Sequence, residues 1–208
     1  MRAVFAAILV AMTTASSIAF AEGPAPRAII FGDSIVQHWP WHSRFFFTEN
    51  NYLGIGNPGE TLKGMLSHFD QDVVQAHPDA VLLVAGTNDV AGNDGPVTDA
   101  AIIANFKLMA ERASAAHLSI VIGSVLPATR FPWNPGIKPS QRIAALNSKI
   151  SAWAAASGIT YADFWSALAL PSGEINPAYS DDGVHPNAAA YAVMGPIAKA
   201  AIDKAIGK

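Results

Sequence analysis

Residues 79–89 read Asp79-Ala80-Val81-Leu82-Leu83-Val84-Ala85-Gly86-Thr87-Asn88-Asp89, an apolar run that breaks sharply into a glycine and three polar residues. A strand with one face in water alternates apolar and polar side chains. Ala80 to Ala85 does not alternate, so it reads as a strand covered on both faces, as in a parallel sheet. Comparable runs stand on either side. Residues 27–31 (RAIIF) read as the first strand, 52–56 (YLGIG) as a weak second, 118–125 (LSIVIGSV) as a fourth and 159–163 (ITYAD) as a fifth.

Helical periodicity fills the gaps. One helix starts at or after Ser34. Over 60–76, Leu62, Met65, Leu66, Phe69, Val73 and Ala76 share one face. Residues 97–117 place Ile103, Phe106, Ala110 and Ala113 at helical spacing, and 140–157 turn Ile143, Leu146, Ile150 and Trp153 inward. Gly158 provides a stop. Residues 187–206 form the last helix, with Pro196 as a kink. Strands alternating with helices predict a three-layer α/β/α sandwich around a five-stranded parallel sheet. Right-handed crossovers leave few topologies, and the flavodoxin-like order 2-1-3-4-5 is the expected one. Ligands in such sheets bind at the carboxyl ends of the strands, beside the reversal in strand order.

Composition narrows the function. The chain has 208 residues, 51% hydrophobic and 14% charged, enough apolar surface for one well-buried domain. The net charge of −3 comes with no basic stripe, so nucleic acid is not an expected partner. The absence of cysteine excludes disulfides, thiolate metal sites and a thiol nucleophile. Arg2, the apolar run 3–12 and the small residues of Ala19-Phe20-Ala21 form a signal-peptide pattern with cleavage expected after Ala21. Residues 22–208 are then a single exported domain, periplasmic or secreted, without a stable membrane anchor.

Four polar motifs fall at strand ends or before the last helix. Gly32-Asp33-Ser34 follows the first strand, Gly59 the second and Gly86-Thr87-Asn88-Asp89 the third. Asp182-Gly183-Val184-His185 precedes the last helix. Each is weak alone; their joint placement is the signal. A serine hydroxyl needs a base to take its proton, and His185 has a carboxylate three residues earlier to hold its tautomer. The backbone N–H groups of Ser34 and Gly59 and the side-chain amide of Asn88 are candidate donors to an oxyanion. Asp33 and Asp89 read as structural.

These four blocks resemble those of the GDSL-type (SGNH) esterases and lipases, over residues 27–198. GIGNPGETL and LLVAGTNDVA look closest to the branch of platelet-activating-factor-type acetylhydrolases and bacterial carbohydrate acetylesterases. The resemblance implies ester hydrolysis through an acyl-enzyme without metal or other cofactor. Ser34 would be the nucleophile, His185 the base, Asp182 its partner, and Gly59 and Asn88 oxyanion donors with the Ser34 amide. The substrate would be a small-molecule or carbohydrate ester, with short acyl groups, chiefly acetyl, favoured by the short chain. The alternatives are a lysophospholipase or thioesterase acting on longer chains, or a catalytically silent carbohydrate-binding or acyl-transfer module. A flavin-binding reading fails because FGDSIVQ lacks a Ser/Thr-rich phosphate cradle.

Further residues stand near the expected site. Trp39, Trp41, Phe45, Phe46 and Phe47 follow the nucleophile and read mainly as core, with Trp39 a candidate for the acyl pocket. Arg130 and Trp133 lie in a Pro- and Gly-rich loop, 126–139, and are candidates for substrate contact. His38 and His42 are four apart, but Pro40 between them is expected to spoil a regular helix, and no metal site is expected. His68, His77 and His117 read as surface or helix-end residues.

Overall fold

The computed structural model describes residues 24–207, so the predicted signal segment lies outside the described residues. The five strands are β1 (Ala28–Gly32), β2 (Tyr52–Gly56), β3 (Ala80–Val84), β4 (Ser119–Gly123) and β5 (Thr160–Ala162). All are parallel, in the order β2-β1-β3-β4-β5. Ala28 pairs with Ala80 and Gly32 with Val84, so even-numbered side chains of β1 and β3 share one face.

Helices cover both faces. They are α1 (Ser34–His42), α2 (Arg44–Asn50), α3 (Leu62–Asp72), α4 (Thr87–Ala91), α5 (Asp99–Ala115), α6 (Ser140–Ala156), α7 (Phe164–Leu168) and α8 (Ala188–Ala205). Ile29, Phe31, Val81 and Leu83 pack with apolar residues of α3, α5 and α6. Ala28, Ile30, Ala80 and Leu82 pack on the other face, with α1, α2, α7 and α8. Continuous apolar strands are what two cores demand, because successive residues feed opposite layers.

The departures from expectation are local. Thr61 caps α3 by accepting from the Gly64 N–H at 3.4 Å, so the helix starts at Leu62. It stops at Asp72, and Val74–Ala76 form a 3₁₀ turn before His77-Pro78, where the residue before proline resists the α conformation. Pro40 sits inside α1 and does not end it, and Pro196 sits inside α8. The five-residue helices α4 and α7 are too short for periodicity to reveal. The aromatic run also divides: Trp39 and Phe47 are buried, whereas Trp41 and Phe45 are 72% and 75% exposed. Helical rotation explains Trp41, since Ile35, Val36 and Trp39 occupy the inward face of α1.

Candidate active site

Three strand ends converge where the order reverses, at β2-β1-β3. The turn after β1 is held by Asp33, the N-cap of α1, whose Oδ1 accepts the Ile35 N–H at 2.9 Å. Ser34 is thereby the first helical residue rather than the cap. Its own N–H belongs to the first turn, whose donors have no partner within the helix and carry the positive end of its dipole. Beyond β2, Gly59 has φ +75° and nothing crowds its Cβ position; the nearest atom is Asn93 Nδ2 at 3.7 Å. Backbone angle, not close approach, is what requires glycine there. Beyond β3, Asn88 lies in α4, 3% exposed.

The fourth component arrives from 151 residues away. Ser34 Oγ lies 3.1 Å from His185 Nε2, and His185 Nδ1 lies 2.6 Å from Asp182 Oδ2. A carboxylate accepts only, so Nδ1 carries the proton and Nε2 presents its lone pair to the hydroxyl when the ring is neutral. Asp182 Oδ1 accepts the N–H groups of Val184 and His185, each at 2.8 Å, and the Ser180 hydroxyl at 3.2 Å. Burial would raise this carboxyl's pKa. The bonds from the His185 ring and from the two backbone amides outweigh it and hold the pKa at about 2. The turn therefore keeps the carboxylate ionised and the ring fixed.

Asn88 is held on both sides. Its Nδ2 donates to Asp33 Oδ2 at 3.1 Å and to the Glu60 carbonyl at 3.0 Å, while its Oδ1 accepts from Asn93 Nδ2 at 2.9 Å. Asp33 is fully buried, and that burial pushes its pKa up to about 7 despite the Ile35 N–H. Asp89 accepts the Leu62 N–H at 3.0 Å and so ties α4 to the start of α3; burial pushes it up to about 6.

An open cleft of about 360 Å³ lies over Ser34 and His185, bounded by Gly59, Asn88 and Trp133. It also takes in His38, Pro58 and Asn93, which the sequence reading left out of the site. His38 follows Ser34 by one helical turn, a spacing that puts both on one face of α1. Burial and the nearby His185 lower the His38 pKa. Trp133 alone of the three candidate contact residues lines the cleft. Trp39 does not reach it: the ring is wholly buried and stacks between Phe46 and Tyr191. Arg130 also lies away from it; its Nε donates to the Asp182 carbonyl at 3.2 Å, bracing the turn that carries His185. His68, expected at the surface or a helix end, is instead part-buried within α3 between Glu60 and Asp72. Among the described residues, no group of three or more His, Asp or Glu side chains is arranged to hold a metal ion.

Residues 30–193 match the family model of GDSL-like lipases and acylhydrolases. Among solved structures, the chain is similar to a GDSL-like lipase of Bacteroides thetaiotaomicron, with 37% identity, 87% of this chain and 89% of that one covered, and a TM-score of 0.83. A candidate acylhydrolase of Bacteroides fragilis is 36% identical over 87% of this chain and 88% of that one, with a TM-score of 0.84. An acetylxylan esterase of Geobacillus stearothermophilus shares the fold at 15% identity, covering 84% and 93% of the two chains with a TM-score of 0.66. No curated protein matches.

Proposed function

The chain belongs to the GDSL-like lipase/acylhydrolase family and is a carboxylic ester hydrolase, and from that premise we propose that it works through Ser34, His185 and Asp182 on short acyl esters. The observation that carries this reading is the continuous relay from Asp182 Oδ2 through His185 to Ser34 Oγ, at 2.6 and 3.1 Å, on the floor of an open cleft.

In the first step His185 Nε2 takes the Ser34 proton as Oγ bonds to the ester carbonyl carbon, and the carbonyl π pair moves onto oxygen. The backbone N–H groups of Ser34 and Gly59 receive that oxyanion, and Asn88 Nδ2, whose two hydrogens lie on Asp33 Oδ2 and the Glu60 carbonyl, joins them by sharing one hydrogen with the oxyanion. Each such donor supplies about 2.7–4 kcal/mol of transition-state stabilisation in comparable holes. The oxyanion collapses, the C–O bond to the alcohol breaks, and the proton on Nε2 passes to the departing oxygen. Water then repeats the sequence on the acyl-enzyme, releasing acid and restoring Ser34. Asp182 stays ionised throughout and stabilises the imidazolium formed in each half.

Acetyl is the proposed acyl group, because the cleft, about 360 Å³, lies at the low end of ligand-pocket volumes. The alcohol side is proposed to be carbohydrate: the half-exposed indole of Trp133 at the cleft offers a flat apolar face suited to a sugar ring. Residues 1–21 are proposed to direct export, on their basic start, apolar run and Ala19-Phe20-Ala21 site; the N-terminus of the mature protein in the outer compartment tests this. p-Nitrophenyl esters of two to sixteen carbons, followed by release of acetate from acetylated xylan, test the substrate. Fastest turnover is expected at two carbons, and a preference for the long esters overturns the acetyl reading. Ser34→Ala is expected to lose at least about a thousandfold in kcat and all labelling by a fluorophosphonate; equal labelling of both proteins overturns the nucleophile.

A further inference from the structure

We infer that Asn93 is a positioning residue that ties the oxygen end of the Asn88 amide to the backbone of Gly59, joining the residues beyond β3 and β2 that serve the oxyanion. The inference rests on the esterase reading above.

The Trp133 indole Nε1 can only donate, and it lies 2.9 Å from Asn93 Oδ1. That contact assigns the oxygen end of the Asn93 amide and turns the NH₂ end the other way. Both of its hydrogens find carbonyl-type acceptors: the Gly59 carbonyl at 2.9 Å and Asn88 Oδ1 at 2.9 Å. Asn88 Oδ1 accepts here, and its Nδ2 at the cleft gives its two hydrogens to Asp33 Oδ2 and the Glu60 carbonyl. A single polarity therefore runs from Trp133 through Asn93 to Asn88, with a branch to the Gly59 peptide. One branch ends on the Asn88 amide beyond β3, the other on the carbonyl of Gly59, the residue beyond β2 whose own N–H is the proposed donor.

Asp33 and the Glu60 carbonyl hold the NH₂ end of Asn88, and Asn93 holds its oxygen end. Asn93 is exposed on the cleft rim. Gly59 has a positive φ, and Asn93 Nδ2 is the nearest atom to its Cβ position. Besides these side-chain bonds, the backbone N–H of Asn93 donates to the Asn88 carbonyl at 3.1 Å, so the residue is anchored to the helix it orients. Preorganised dipoles raise rate only when they need not turn during the reaction, so a loosened amide costs kcat rather than substrate affinity.

The test uses Asn93→Ala, Asn93→Asp and Trp133→Phe in the full mature chain, with p-nitrophenyl acetate kinetics and the thermal midpoint of each. Asn93→Ala is expected to lower kcat about tenfold with KM unchanged. Asn93→Asp is expected to lower it about a hundredfold, because a carboxylate would oppose the Gly59 carbonyl and Asn88 Oδ1 with acceptors only and add negative charge beside the oxyanion. Trp133→Phe keeps a ring and loses the donor, and is expected to cost about threefold in kcat. Wild-type kcat in both Asn93 variants, or a loss confined to KM, overturns the inference. A variant whose midpoint collapses leaves the decision to Trp133→Phe, on a residue at the surface, where unchanged kcat overturns it. If wild type shows no Ser34-dependent hydrolysis, the esterase reading and the positioning role fall together. If Ser34→Ala is inactive while the Asn93 and Trp133 variants match wild type, only the positioning role falls.

Discussion

Two histidines in this chain are gripped by carboxylates at nearly equal distances, and only one of them touches a hydroxyl. His185 has Asp182 at 2.6 Å on Nδ1 and Ser34 at 3.1 Å on Nε2. His68 has Asp72 at 2.7 Å on Nδ1 and Glu60 at 2.7 Å on Nε2. With acceptors on both sides, His68 donates from both nitrogens and is held as an imidazolium. Burial opposes that charge, but the two hydrogen bonds prevail and raise its pKa. It has no lone pair to offer. A histidine–carboxylate contact is thus the proposed base in one region and a clamp in the other, and the partner of the second nitrogen decides which.

The largest expected effect separates the two directly. His185→Gln should lower kcat at least about a thousandfold, with little change in thermal midpoint. His68→Gln should change kcat by less than about threefold and cost about 1–2 kcal/mol of stability at pH 6, by loss of bonds to charged groups. Parallel kinetics and urea unfolding of both variants would break the comparison if the two losses came out alike.

A smaller effect appears in stability against pH. Burial raises Asp33 to about 7 and Asp89 to about 6, both from 3.8, and His68 is raised above 6.5. A raised pKa means the folded state binds the proton more tightly. Each contribution is therefore complete below the unfolded value and lost as pH rises through the folded one. The aspartates act between 3.8 and about 7, and His68 acts above 6.5. Asp182 works the other way: its contribution is present above 3.8 and lost as pH falls through about 2. The midpoint should be higher at pH 5 than at pH 8. His68→Gln should flatten the decline above 6.5, where its own titration falls. A wild-type midpoint at pH 8 equal to that at pH 5 would remove the electrostatic account of the clamp.

The smallest effect tests the brace beneath His185. Arg130→Ala removes one exposed hydrogen bond to the Asp182 carbonyl. Stability should move by no more than about 0.5 kcal/mol, and kcat by no more than about threefold. A larger loss would mean that the turn does not hold Asp182 by its own Ser180, Val184 and His185 contacts.

The two regions also differ in how they could be read before the fold was known. The 79–85 run carried the parallel sheet, because a strand that feeds two cores has no polar face to display. Ser34, Gly59, Asn88 and the Asp182–His185 turn stood at strand ends or before the last helix, so their spacing along the chain was informative. The clamp was not legible: Glu60 sits before α3 and His68 within it, and only the capping of that helix by Thr61 and its docking on Phe31 bring them together. Trp39 misled because an aromatic five residues after a nucleophile has equal reason to face core or cleft until helix rotation is known. Asn93 gave no periodic signal, lying in a polar turn after α4.

Alternation of strands with helices and motif order, local properties of the chain, thus determined the layers, the strand order and the proposed reacting groups. Tertiary structure decided which nitrogen meets which oxygen. Those pairings depend on positions accurate to tenths of an ångström between segments as distant as 34 and 185, and no local propensity encodes such distances.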